Sequence, residues 1–395
     1  KVRMINKNPL TSSWDAYTSY LKGRRAWHKL DKTVAKSEFE RALEYDPGFT
    51  LAKLGLLEVL KFEGGNSLVI DSLITGVKKS MGNLGYVDSV RVLAVEHSVK
   101  GMFLKSVDFY KKIAEKLPYD KFSFYEIAES YYELADNDNA IEYYNKALKI
   151  DPDFTLALNH LGYSLLNKYK AGEALGKFRR CVELDSSANS FDSMGDGFFA
   201  AGMIDSAIIY KQKGMAIDPS LEYLHSGTGL LHALKGNKEK ASELFAVYNN
   251  LVKGNEGLEM NGLFYQAINH FLFGNLREAE SLTDKSLSVI SKYPVIIGYQ
   301  ENYWLKGVIC FHSGDSTGLK NIISEFAKII DKNKFSKTTY HPVYKYYVHL
   351  NILAGILSGD NEKLRKNLNI LDTDIFEKVK DHGSVFDYGF INYHL

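Results

Sequence analysis

Between residues 124 and 185 the apolar positions run through the same order twice. Ala140, Tyr144, Ala147 and Ile150 return 34 positions later as Ala174, Phe178, Cys181 and Leu184. Within each set the steps are three or four residues, which places all four side chains on one face of an α-helix. A helical face repeated at this period predicts stacked supersecondary units, each too small to enclose its own apolar side and each sheltered by its neighbour.

The small residue that opens each set extends the pattern along the chain, as Ala35, Ala140, Ala174, Ala207, Ala241 and Ala279, and the 105-residue first gap leaves room for two more units. A bulky side chain follows one helical turn later at Phe39, Tyr144, Phe178 and Phe245; Lys211 and Thr283 stand in that place as exceptions. A second small residue, Gly23, Ala128, Gly162, Gly195 or Gly229, precedes its alanine by about one helix. Small side chains at both places let two helix axes approach closely. Asp46-Pro47, Asp151-Pro152 and Asp218-Pro219 predict the end of each second helix, because proline cannot continue it and restrains the residue before it. Gly-containing turns at 201–203, 236–238, 274–276, 313–315 and 358–360 predict the break between the two helices of a unit.

This order of small, aromatic, Ala and Pro positions resembles the tetratricopeptide repeat. Residues 121–152 meet the pattern most fully, and 155–186 and 188–219 meet it with departures at Ser186, Lys211 and Gly214. The first unit, 16–47, carries Gly23, Ala35, Phe39, Ala42 and Pro47, while units near 222–250, 260–290, 300–330 and 345–370 keep the Gly turn and lose the Pro. Residues 50–85 fit least and read as a diverged unit, followed by one near 87–118 with Gly101, Tyr110 and Pro118. The resemblance implies an all-α, right-handed superhelical α-solenoid of about nine or ten antiparallel helix pairs. Its expected organisation is an array over 1–250, diverged pairs over 251–370, and a capping tail over 371–395, whose aromatic "VFDYGFINYHL" would cover the last unit.

The entry segment from "NPLTSSWDAY" to "LAKLGLLEV" resembles the start of repeat regions that follow the effector domain of bacterial signalling proteins such as Ser/Thr kinases and winged-helix regulators. That resemblance implies a sensory or regulatory C-terminal half that binds a ligand or partner.

Composition narrows the choice of partner. Lys and Arg number 49 against 48 Asp and Glu, so no global basic field exists to attract nucleic acid. Two cysteines, Cys181 and Cys310, exclude a disulfide framework and leave the compartment open. The longest apolar run, 262–273, is broken by Gln266, Asn269 and His270 and is too short to span a membrane. A soluble chain in cytoplasm or periplasm is expected, and because the sequence starts at Lys1 it can be part of a larger membrane-anchored protein.

Of the common catalytic signatures, HExxH, GxxxxGK[ST] and CxxC do not occur. The "GDGFFAAG" stretch at 195–202 lies in a first helix, where its glycines serve close packing. His97, His232 and His270 occupy the place of Tyr131 and Phe198 in other units and read as helix-crossing residues. His225 and His232 share a helix face without a Cys or carboxylate at ligand spacing, so no metal or other cofactor is expected. No enzyme is expected, since nucleophile, base and orienting group never fall together.

Binding is the better-supported reading. The resemblance places the first helix of every unit on the concave side, where the register aligns Tyr125, Glu129 and Tyr132, then Asn159, Tyr163 and Asn167, then Asp192, Asp196 and Phe199. Asn donates to and accepts from a peptide backbone, aromatics supply contact at low ordering cost, and the carboxylates favour basic residues. The same carboxylates would repel an acidic C-terminal tail. Farther on the inward positions turn apolar, at Phe264, Ile268, Phe271, Leu272, Trp304, Val308 and Phe311. Large apolar side chains seldom stay exposed, so cover within the chain is expected, with a partner or a homodimer through this half as the alternatives.

Overall fold

The computed structural model describes residues 11–28, 31–62, 67–290, 300–333 and 342–371. Among them are twenty α-helices and no strand. They divide into two compact units, the first ending at Lys168 with Glu183–Asp185 joined to it, the second running from Tyr169. The first unit holds α1 (Trp14–Trp27), α2 (Lys32–Tyr45), α3 (Thr50–Phe62), α4 (Ser67–Lys79), α5 (Tyr86–Val99), α6 (Phe103–Lys116), α7 (Lys121–Glu133), α8 (Asn137–Ile150) and α9 (Thr155–Asn167). The second begins just before α10 (Ala171–Leu184) and continues through α11 (Ala188–Ala200), α12 (Ile204–Ile217), α13 (Glu222–Leu234), α14 (Lys238–Leu251), α15 (Glu256–Leu272) and α16 (Leu276–Ile290). It closes with α17 (Gln300–His312), α18 (Ser316–Asn333), α19 (Pro342–Ser358) and α20 (Asn361–Leu371). Residues 372–395, nearly all of the expected capping tail, lie outside the described residues.

Local chemistry sets the boundaries. Each Asp before Pro is a helix C-cap in extended backbone: Asp46, Asp151 and Asp218 have φ of −146°, −137° and −137°. Its carboxylate then accepts from the amide two residues on, Gly48, Asp153 or Ser220, at 2.9, 3.2 and 3.0 Å. Proline stops the helix and the Asp side chain satisfies the freed turn. Inside the pairs, a residue at positive φ lets an amide reach back to a carbonyl five residues earlier: Met203 to Phe198 at 2.8 Å, Asn237 to His232 at 2.9 Å, Asn275 to His270 at 2.9 Å. Glycine supplies that conformation at 202, 236 and 274, whereas Ala135 takes it, at φ 56°, between α7 and α8.

The diverged stretch at 50–85 contributes the pair α3 and α4, packed against each other like the rest. The recurring alanines Ala35, Ala140, Ala174, Ala207, Ala241 and Ala279 are fully buried. The bulky residues beside them lie in gaps made by glycine: a Cβ on Gly229 would fall 2.6 Å from the ring of Phe245, and one on Gly23 would fall 2.8 Å from that of Phe39.

Candidate functional site

A cavity of about 280 Å³ opens in the first unit, lined wholly by odd-numbered helices, the first members of their pairs. Trp27 comes from α1, Glu58 and Lys61 from α3, and Val95 from α5. Helix α7 supplies Tyr125, Glu126, Glu129, Tyr132 and Glu133, and α9 adds His160. On α7 the spacing 126, 129, 133 puts three carboxylates along one stripe.

Two of the four lining carboxylates are used internally. Glu58, 8% exposed, accepts from Arg24 at 2.5 Å. Glu129 accepts from the Tyr144 hydroxyl and pairs with His160 Nδ1 at 2.7 Å. Burial works against the charge on both members of that pair, yet each outweighs burial for the other: Glu129 is held below the usual carboxylate range and His160 above the usual imidazole range.

Glu126 differs. Among the described residues its carboxylate makes no hydrogen bond or ion pair, and burial, with Glu58 and Glu129 adding to it, pushes that carboxyl up to about 7 against the opposing charges of Lys61 and Arg24. Glu133, exposed at the rim, is raised as well, first by burial and then by Glu129.

A carboxyl raised on folding binds its proton more tightly in the folded chain, so folding loses stability as pH climbs from the unfolded value near 4.5 through about 7. The gap corresponds to at most about 3 kcal/mol, and relaxation of the site reduces it. Glu126→Gln removes the penalty. The variant is expected to match the parent at pH 4 and to exceed it by about 1–2 kcal/mol at pH 8, measured by urea unfolding at both values.

Three of the nine residues expected on the inner face, Tyr125, Glu129 and Tyr132, meet in this cavity. Tyr125 is buried there, its ring 5.5 Å from that of Phe154 and 6.0 Å from that of Tyr144. The others lie elsewhere. Asn159 is buried, Tyr163 is half-buried, and Asn167 donates through Nδ2 to Asn137 Oδ1 at 3.2 Å. In the second unit Asp192 and Asp196 hold Lys211 Nζ at 2.5 and 2.7 Å, and Phe199 packs beside Ala207, Ile208 and Leu231.

Glu129 and Asp196 occupy equivalent places, as do Tyr144 and Lys211, so in both units a polar tip on the second helix consumes an inward acid. Sequence reasoning passed over Glu58, Lys61, Glu126, Glu133, Trp27 and His160. The available signal was the 126, 129, 133 stripe, one position off the register that was followed.

The apolar inward positions of the second unit are covered within the chain. Ile268, Trp304 and Val308 are buried in one cluster with Leu350 and Leu353 of α19, and Phe264, Phe271, Leu272 and Phe311 pack partly buried against it. Trp304 Nε1 donates to His349 Nδ1 at 2.8 Å. The two cysteines are buried as free thiols, and burial pushes Cys310 up to about 11. His225 engages the Pro219 carbonyl at 2.9 Å, and no group of three or more potential ligands is placed to hold a metal among the described residues. Nor is any described helix long and apolar enough to cross a membrane.

The tetratricopeptide repeat family pattern matches residues 122–154. A TPR repeat-containing protein of Methanocaldococcus jannaschii is 28% identical over 151 residues, which are 37% of this chain and 26% of that protein; the match thus spans about a quarter of the relative's length. Among solved structures, a tetratricopeptide repeat protein from Parabacteroides merdae is similar with a TM-score of 0.46 and 15% identity, covering 67% of this chain and 97% of that one. MamA from Desulfovibrio magneticus is similar with a TM-score of 0.39 and 20% identity, covering 43% and 96%.

Proposed function

We propose that this chain, which carries the tetratricopeptide repeat, is an interaction scaffold that binds a basic peptide or protein segment along the first-helix faces of its first unit. The observation that carries the reading is the cavity in which α1, α3, α5, α7 and α9 bring four carboxylates together with Trp27, Tyr125 and Tyr132. Aromatic rings supply contact area at little ordering cost, and the acids favour partners with Lys or Arg over acidic ones. The acids that are already paired, Glu129 in this unit and Asp192 and Asp196 in the other, act as supports for the inner face rather than as contacts.

The test is fluorescence anisotropy with labelled nonapeptides, one alternating Arg with Ala and one alternating Glu with Ala. The basic peptide is expected to bind, to weaken at 0.5 M salt, and to lose about fivefold or more in affinity on Glu133→Lys at the exposed rim. Equal binding of both peptides, or none of the basic one, counts against the reading.

A further inference from the structure

The charges inside this cavity do not balance. Glu58 is matched by Arg24 and Glu129 by His160. That leaves Glu126 and Glu133 facing Lys61, one negative charge in excess once Glu126 is ionised, and no ion pair joins these three among the described residues. Glu126 also lines the small neighbouring cavity beside Arg24 and Arg91, so its carboxylate stands between two open spaces with no protein donor on it.

We infer that the cavity seats one arginine side chain of the bound partner, its guanidinium on Glu126 and Glu133 and its flat face against Trp27 and Tyr132. The inference rests on the peptide reading above and adds which residue of the peptide is recognised. One added monovalent cation cancels the excess, and a second would recreate an imbalance of the opposite sign. A cavity of 280 Å³ holds about nine waters at liquid density, enough for a guanidinium on its alkyl stem. Arginine is favoured over lysine for a physical reason. Its planar fork reaches two carboxylates at once and stacks on aromatic rings, whereas an ammonium is a compact, strongly hydrated point charge.

A titration follows from the same placement. The charged and titratable groups facing Glu126 are Arg24 on α1, Glu58 and Lys61 on α3, Tyr110 on α6, Tyr125 and Glu129 on its own helix, and His160 on α9. With its carboxyl at about 7 in the empty cavity, an arriving cation displaces the proton, so affinity rises between pH 6 and 8.

The test uses the full chain and isothermal titration with the Arg/Ala nonapeptide, its Lys counterpart and its citrulline counterpart. Wild type is expected to prefer Arg to Lys by about threefold or more and to citrulline by about tenfold or more. Arg affinity should be severalfold higher at pH 8 than at pH 6. Glu126→Gln keeps the shape of the side chain and should erase both the preference for Arg over Lys and the pH dependence, with binding of the basic peptides retained through Glu133. Equal affinity for Arg and Lys on wild type, or a preference that survives Glu126→Gln, overturns the arginine seat and leaves the peptide reading standing. Failure of every basic peptide to bind overturns both.

Discussion

Replacing Lys211 by alanine is expected to destabilise the second unit by about 3–5 kcal/mol, because it strands two carboxylates that the ammonium now neutralises. Lys211 is 4% exposed and stands where most units place an aromatic ring. Its stem lies on the bare backbone of Gly195, where a Cβ would fall 2.7 Å from Lys211 Cγ. Burial works against the charge, but Asp196 and Asp192 outweigh it and hold the ammonium well above the usual lysine range. The Asp192 carboxyl is pushed up to about 6, by burial and then by Asp196 beside it. Urea unfolding followed by circular dichroism at pH 7 reads the loss. Adding Asp192→Asn should recover about half of it, because residues in one ion cluster are not additive. A loss under about 1 kcal/mol would mean that the buried acids simply protonate and the cluster contributes little.

The second large effect is expected at Phe39, whose ring fills the space left by two glycines from the helices on either side. A Cβ on Gly55 of α3 would fall 2.6 Å from the ring, and one on Gly23 of α1 would fall 2.8 Å from it. Phe39→Ala opens a cavity in a fully buried site and should cost about 3–5 kcal/mol. The sign of a glycine change depends on that ring. Ala ordinarily favours a helix over Gly by about 1 kcal/mol, yet with Phe39 in place the added methyl collides, and Gly55→Ala should destabilise by about 1–3 kcal/mol. In the Phe39→Ala background the collision is gone, and Gly55→Ala should become neutral or stabilising. Thermal and urea unfolding of the four members of this cycle decide it. Additive losses would show that the glycine and the ring do not share one packing constraint.

Much of the architecture was legible because its determinants are local. Asp-Pro sites ended helices where proline and the Asp side chain require it, and Gly turns divided the pairs at 202, 236 and 274. Lys211 also stood out, as a polar residue at an aromatic position, although the sequence did not disclose that its partners would be Asp192 and Asp196. The candidate site was legible only in outline. The register singled out Tyr125, Glu129 and Tyr132, which do line the cavity, and it missed Glu126 beside them.

The period of the repeat, the helix ends and the small and large residues at each crossing were thus written in the sequence, since each depends on neighbours within one or two turns of chain. Which acids remain available was decided by the tertiary structure. Glu58 meets Arg24 across 34 residues, Glu129 meets Tyr144 and His160 from two other helices, and Glu126 meets no partner among the described residues. Local spacing places a carboxylate on a helix face; only the packing of distant helices determines whether a cation is already there, and a half-buried charge left unmatched is what the proposed binding rests on.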